Sequence, residues 1–235
     1  MSKEMEKQLE RIRMAYDLTV KQYELGIDPL NGVPDHLRNA PEFQTFIAEA
    51  SEACHVGASD VREYLAPKSG MVFLDVGCGA GLKTHRLYEW PSLYHGVDIS
   101  PGLINAMRRY VTNNAIEVGA LHVADAATLP FEDGYFDIAA MIGVLEYGTP
   151  DYAKNALGEL HRVLKPQARV VLDIPNMSHP HVDLMFSLEQ SLGRPQYEHS
   201  RAEFEDTLSG HFEIESVNTA LVTLKYFCRP MTEVD

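Results

Sequence analysis

The sequence predicts a single α/β domain built on a doubly wound, mostly parallel sheet. Three observations carry this. From Met71 onward, short apolar runs alternate with helical stretches, the order that sets parallel strands between covering helices. The runs are apolar throughout instead of alternating with polar residues, as strands buried on both faces are. Near the end of the chain, two strand-like runs are joined by too few residues for a helical crossover, which predicts an antiparallel hairpin at one edge.

Taken in order, residues 4–24 read as an amphipathic helix, because Met5, Leu9, Ile12, Tyr16 and Val20 recur at three- and four-residue steps between charges. "GIDPLNGVPD" breaks that pattern with two glycines and two prolines. Residues 41–65 give one or two further helices, interrupted near Gly57-Ala58-Ser59. The buried strands are "MVFLDVG", "LYHGVDIS", "ALHVAD", "FDIAAMIG" and "ARVVLDIP", with helices at 81–89, 102–112 and 151–164 between them. Pro150-Asp151 and Lys165-Pro166 frame the last helix as start and stop. Residues 176–210 exceed a plain crossover and hold two more helices, at 182–192 and 200–209; extra length there serves as a wall or lid over a ligand. "HFEIESVN" and "ALVTLKYFC" form the hairpin, over 211–228. The expected organisation is one domain: an N-terminal helical lid or substrate segment (1–66), a ligand-binding core (70–175), a variable substrate-side insertion (176–210) and the edge hairpin.

Composition narrows the function classes. At 235 residues, 45% hydrophobic and 23% charged, the chain is globular and long enough for one substantial core. A net charge of −14 argues against a nucleic-acid partner, whose binding rests on Lys and Arg displacing counterions. There is no apolar run near the ~18 residues of a membrane span, and the charged start lacks the apolar core of a signal peptide, so a soluble, cytoplasmic protein is expected. Cys54, Cys78 and Cys228 are too few and too scattered for a disulfide framework or a zinc site.

The first strand runs into "LDVGCGAGLKT", with glycines at 77, 79 and 81. Glycine lets backbone approach a ligand closely, and in open α/β sheets ligands bind at the carboxyl ends of the strands. A Walker-type phosphate loop needs Gly-Lys-Ser/Thr after four intervening residues, and here Leu82 separates Gly81 from Lys83. A dinucleotide fingerprint spaces its glycines G-x-G-x-x-G, whereas this stretch reads G-x-G-x-G with Asp75 two residues ahead. An acid beside a pyrophosphate is repulsive; it suits a ligand bearing an ammonium group and a positive sulfur.

Asp75-Val76-Gly77-Cys78-Gly79-Ala80-Gly81 resembles the first motif of class I S-adenosylmethionine-dependent methyltransferases, of the small-molecule type 11 kind. Further segments resemble that family in the same order: Gly96-Val97-Asp98-Ile99-Ser100, "ADAATLPFEDGYFD", "FDIAAMIGVLEYGT" and "ALGELHRVLKPQARVVLDIPN", with Gln167 and Ala168 where two glycines commonly stand. The resemblance covers roughly residues 70–176 plus the hairpin. It implies a Rossmann-like, seven-stranded sheet with a reversed edge strand and S-adenosylmethionine as cofactor. It also implies a set of cofactor contacts: Asp75, Gly77, Cys78, Gly79 and Gly81 at the methionine end, Asp98 on the ribose hydroxyls, Ile99 and Leu129 against the adenine, Asp125 and the Ala126 backbone at the ring edge, and Ile142 and Gly143 facing the sulfur. Read alone, Asp98 is equally a helix N-terminal acid, and Cys78 is a small packing residue rather than a nucleophile. Tyr16 and Tyr23, seven residues apart on one helical face, are either lid residues, with Tyr16 near the sulfonium, or simply packing.

The segment after the fourth strand bears on the acceptor. Ile142-Gly143-Val144-Leu145-Glu146-Tyr147 lacks the Asn/Asp-Pro-Pro-aromatic of nucleobase amino-methyltransferases, the paired glutamates of protein arginine methyltransferases and the strand-end acid of metal-dependent catechol-type enzymes. "VLEY" is closest to the "VLEH" of broad small-molecule methyltransferases, with Tyr147 in place of His. A phenol of pKa about 10 is a poor base near neutrality. "SHPHVD" places His179, His181 and Asp183 within five residues. A two-His-one-acid metal site can be drawn there, but a polar loop capping the next helix is the favoured reading; no metal is expected, and His181 is a second candidate base. The expectation is methyl transfer to a small-molecule acceptor at O, N, S or C by in-line displacement. A protein methyltransferase and a non-catalytic S-adenosylmethionine-binding protein are the alternatives.

Overall fold

The computed structural model describes residues 2–231. A seven-stranded sheet runs β3-β2-β1-β4-β5-β7-β6, with β1 at Val72–Val76, β2 at Leu93–Asp98, β3 at Ala120–Val123, β4 at Phe136–Met141, β5 at Leu164–Pro175, β6 at Phe212–Asn218 and β7 at Thr223–Pro230. The first five strands pair in parallel. The chain order reverses beside β1, so β1 and β4 flank a switch point where the strand ends open into a crevice.

The expected hairpin is present, with one refinement. β7 is antiparallel to both neighbours and lies inside the sheet, between β5 and β6. The edge strand is β6, half-exposed along its length, while nearly all of β7 is buried.

Helices cover both faces. α1 (Lys3–Glu24), α2 (Asp35–Arg38), α3 (Phe43–Ala53) and α4 (Ser59–Leu65) precede the sheet; α5 (Gly81–Thr84), α6 (Pro101–Asn113) and α7 (Pro150–Val163) cross between strands; α8 (Val182–Ser191) and α9 (Arg201–Ser209) fill the insertion. Alternate residues of a strand enter different cores. Leu74, Ala139 and Val170 pack with Met5 and Leu9 of α1, with α7 and with α9. Phe73, Ala140 and Val171 pack with α4 and α6. This two-sided burial is why the runs are apolar without alternation. A third cluster joins Phe43 and Phe46 of α3 to Val182, Met185 and Leu188 of α8.

Two boundaries differ from the sequence reading. The helix expected over 81–89 stops at Thr84; Arg86 takes a left-handed φ of 52° and a 3-10 turn follows at Leu87–Glu89. Lys165-Pro166 ends α7 as expected but already belongs to β5. The pairing with β4 jumps from Phe136–Leu164 to Ile138–Arg169, so Pro166 lies where the ladder is interrupted and needs no donor.

Candidate active site

The glycine turn leaves β1 with Gly77 at φ +72° and Gly79 at φ +49°. The N–H groups of Gly77 and Cys78 both donate to the Val97 carbonyl, at 2.7 and 2.9 Å, which pins the turn to the end of β2. A Cβ on Gly77 would come within 2.2 Å of Val144 Cγ2; one on Gly79 would meet no protein atom closer than the Gly77 carbonyl oxygen, 3.9 Å away. The Gly79 backbone therefore faces open space.

That space is a cavity of about 260 Å³ at the carboxyl ends of β1, β2 and β4. Val76, Gly77, Gly79, Val97, Asp98, Ile99, Ala124, Ala126, Ile142, Gly143 and Val144 form its floor and walls, Leu9, Ile12 and Tyr16 of α1 lie along it, and Tyr147 and Tyr152 complete it. Among the described residues, no Lys, Arg or His lines it, which makes it a poor phosphate site. Asp98 is the one carboxylate among the described lining residues. Its oxygens accept from Gly79 N–H (2.9 Å) and Ser100 N–H (2.8 Å), and about four lone-pair positions on a carboxylate leave room for two further donors such as a vicinal diol. Burial, with Asp17 adding a smaller push, raises Asp98 to about 6.

Of the residues named from sequence, the structure brings Tyr16, Gly77, Gly79, Asp98, Ile99, Ala126, Ile142 and Gly143 together around this cavity, with Tyr147 beside them. Others stand apart from it. Asp75 is buried, takes the Tyr94 hydroxyl at 2.7 Å, and sits 3.5 Å from where a Gly81 Cβ would be; burial raises it to about 7. Cys78 packs in the α6-side core. Leu129 is buried in the same core as Ala124 and Ala126 but does not line the cavity. Asp125 accepts the Tyr152 hydroxyl at 2.6 Å and faces a separate, larger cavity of about 900 Å³, so the Tyr152 ring partitions the two spaces. Tyr23 lies off the buried stripe, 67% exposed. His181 pairs with Glu49 of α3, and Asp183 is exposed on α8.

Contacts far apart in sequence close the cavity. Tyr147 donates to Glu189 Oε2 of α8 at 3.0 Å, which makes Tyr16 the donor in the 2.9 Å contact between the two hydroxyls. Arg194 lies over the Tyr16 ring, 4.7 Å from its centroid, and donates to Glu189 Oε1 at 3.0 Å. α1 is also docked through Asp17, whose Oδ1 accepts from Ser100 Oγ (2.5 Å) and Gly102 N–H (2.9 Å). Behind Gly143, Asp173 accepts its N–H at 2.8 Å and burial raises that acid to about 6. Burial likewise pushes Glu146 well above the usual carboxylate range, helped by Asp173, and its Oε2 has no protein partner. Tyr147, which burial drives further above its ordinary value, is no base near neutrality. Sequence reasoning missed Glu189, Arg194 and Tyr152. Only Tyr152, in the first turn of α7 directly after the fourth-strand motif, carried a local signal.

Residues 74–172 match the family model described as a methyltransferase domain. Over this span the chain is similar to S-adenosylmethionine-dependent methyltransferases. It is 34% identical over 125 residues to the 2-phytyl-1,4-naphtoquinone methyltransferase of Nostoc punctiforme, an alignment covering 50% of this chain and 53% of that protein. The chain spans about half the length of the curated relatives it matches. Among solved structures, the magnesium protoporphyrin IX methyltransferase of Synechocystis with bound S-adenosylmethionine superposes with a TM-score of 0.62 at 15% identity, covering 95% of this chain and 97% of that one. The 1,6-didemethyltoxoflavin-N1-methyltransferase of Burkholderia thailandensis gives 0.59 at 18% identity, covering 84% and 88%. At these identities the likeness is one of fold. The cavity residues fit S-adenosylmethionine, the ligand bound in the Synechocystis structure: a carboxylate with spare acceptor capacity at the end of β2, apolar walls beside it, glycine backbone open to the space, and, among the described residues, no cation to receive a phosphate.

Proposed function

We propose that this chain transfers the methyl group of S-adenosylmethionine to a small-molecule acceptor held under α1 and α8. The observation that carries this is the roofed cavity. Its open glycine backbone lies beneath a helix tied down by the Tyr16–Tyr147–Glu189–Arg194 network, so an acceptor must fit inside the enclosure. The relatives point the same way, since the named acceptors of those described above are a naphthoquinone, a porphyrin and a toxoflavin precursor, all small ring molecules.

In this reading Asp98 takes the ribose hydroxyls, Ile99 and Ala126 flank the adenine, and Gly77 and Gly79 give the methionine end close backbone contact. S-adenosylmethionine supplies a methyl already activated by a positive sulfur, so the chain need provide no electrophile. Its residues supply position, and holding two reactants in line is worth roughly 7–11 kcal/mol. Leu9 and Ile12 keep water out from above. Tyr16 and Tyr147 present neutral hydroxyls that orient an acceptor without deprotonating it. The acceptor that suits this site is therefore one whose nucleophile is neutral or ionises on its own near neutrality.

The test is incubation of the purified chain with S-adenosylmethionine and a panel of quinols, phenols, heterocyclic amines and thiols, reading S-adenosylhomocysteine and methylated product by mass spectrometry. Saturable transfer to a panel member is expected. Methyl label appearing on protein in a lysate, with none on small molecules, would overturn the proposal in favour of a protein methyltransferase.

A further inference from the structure

We propose that Glu49, His179 and His181 form a binding site for a divalent transition metal, of the Zn2+ class, that cross-links α3 to the start of α8. One ligand atom from each of the three lies within 4.8 Å of the other two. His181 Nδ1 and Glu49 Oε2 already stand 3.2 Å apart, close to the ~3.3 Å that two ligands 2.0–2.1 Å from a tetrahedral ion must have. Bringing the His179 nitrogen to the same separation needs a closure of about 1.5 Å at most, within reach of a ring rotation. The two rings are 5.2 Å apart and nearly perpendicular, at 74°, so neither blocks the other.

The backbone supports the site. The turn after β5 is fixed by Asn176, whose side-chain amide donates to the Thr219 and Leu221 carbonyls at 3.1 and 3.0 Å. The His179 N–H donates to the Asn176 carbonyl at 2.9 Å, and the Val182 N–H to the His179 carbonyl at 3.1 Å. Glu49 is held opposite by the packing of Phe43 and Phe46 against Val182, Met185 and Leu188. A metal would replace the 3.2 Å contact of His181 Nδ1 with Glu49 Oε2 and, where it binds His179 through Nδ1, the 3.2 Å bond from the His181 backbone N–H, both at the long end of the hydrogen-bond range. All three residues are partly exposed, which leaves an entry path and a position for water.

Ligand chemistry sets the metal class. Two imidazole nitrogens and one carboxylate suit Zn2+, Co2+ or Ni2+, whereas Mg2+ and Ca2+ take oxygen ligands. The carboxylate is Glu49, brought from 130 residues away; Asp183, the acid nearest in sequence, is exposed and outside the cluster. The consequence falls on α8. His181 precedes its first turn, and Glu189 near its other end accepts the Tyr147 hydroxyl at the methyl-transfer cavity. A metal here makes the roof of that cavity rigid from a distance and acts as a positioning element.

The test uses the untagged full chain, freed of metal by chelation. Calorimetry with Zn2+ should show one equivalent bound, Co2+ should give the visible bands of a nitrogen-ligated ion, and Mg2+ should do neither. Zn2+ at a hundredfold excess over its Kd should raise Tm by roughly 5–10 °C. H179Q/H181Q should abolish binding, and E49Q should weaken it at least tenfold. On the unmutated chain, Zn2+ should protect His179 and His181 from diethylpyrocarbonate, mapped by peptide mass spectrometry, which keeps the test independent of whether a variant folds. No Zn2+ stoichiometry, or binding that leaves those two histidines unprotected, would overturn the proposal.

Discussion

Gly79→Ala separates a ligand contact from a folding requirement. The added methyl meets no protein atom closer than 3.9 Å, so the fold has room for it, and the cost is that of holding alanine at φ +49°, about 1–2 kcal/mol. A domain of ordinary stability, 5–15 kcal/mol, survives this with a Tm loss of roughly 2–8 °C. If the cofactor lies against the Gly79 backbone, the methyl occupies its contact surface, and overpacking of about 1–3 kcal/mol weakens binding some 5- to 150-fold. Gly134→Ala is the control. Gly134 has φ +62° and nothing within 4 Å of its Cβ position, and it lies outside the cavity lining. It should lose similar stability and keep full affinity. Urea unfolding measures the first quantity and calorimetry with S-adenosylhomocysteine the second. A folded Gly79→Ala protein that binds as tightly as the parent would refute the placement of cofactor against this loop, and so would equal loss of affinity in Gly134→Ala.

Three other outcomes are expected. Because Asp98 titrates at about 6 and must be ionised to accept ribose hydroxyls, cofactor affinity should be full above pH 7 and fall about tenfold by pH 5; in Asp98→Asn the affinity should be low and flat across that range by calorimetry. The raised acids Asp75 (about 7), Asp98 and Asp173 (about 6) hold protons in the folded state that the unfolded chain releases near 4, so their contribution to stability is full below pH 4 and is lost as pH rises through 6–7; Asp75→Asn should flatten that part of a urea-midpoint profile. Asp60→Asn strands the Lys225 ammonium, which is fully buried with Asp60 and the Ala53 carbonyl as its partners, and should cost about 3–5 kcal/mol in urea unfolding.

The sheet was legible because its signals are local. A strand buried on both faces shows as an unbroken apolar run, and residue pairs such as Phe73 and Leu74, or Val170 and Val171, serve two different cores without any change of character. What misled was also local. Lys83 to Glu89 reads as a continuation of the helix, yet Arg86 adopts a left-handed φ that propensity does not announce. Tyr23 keeps heptad spacing with Tyr16 on paper, but α1 runs past the core after Asp17 docks on Ser100 and Gly102, and its last turn is held at the surface, where Glu24 pairs with Arg109 and Tyr23 is left exposed. Spacing tells which residues share a face; it does not tell how far along that face the protein extends.

The cofactor side of the site follows the same logic. Gly77, Gly79, Asp98 and Ile142 sit at strand ends, and strand ends converge by topology alone, so naming the strands names the residues. The acceptor side has no such shortcut. Tyr16, Tyr147, Glu189 and Arg194 come from α1, the turn after β4, α8 and the loop beyond it, and Tyr16 and Tyr147 meet across 131 positions. Each alone reads as an ordinary amphipathic or surface residue. Glu189 looks like a solvated helix acid until Arg194 and Tyr147 are seen to enclose it. Buried carboxylates persist only where partners or a raised proton affinity offset desolvation. Three of them, Glu146, Asp173 and Glu189, beside one cavity therefore mark where this protein has given up stability. Asp75 and Asp98 are buried acids of the same kind on the side of the glycine turn. Under the proposed function the acids on the side of α8 lie nearest the acceptor, and variants of Glu189 and Arg194 should change which molecule is methylated while leaving S-adenosylmethionine binding intact.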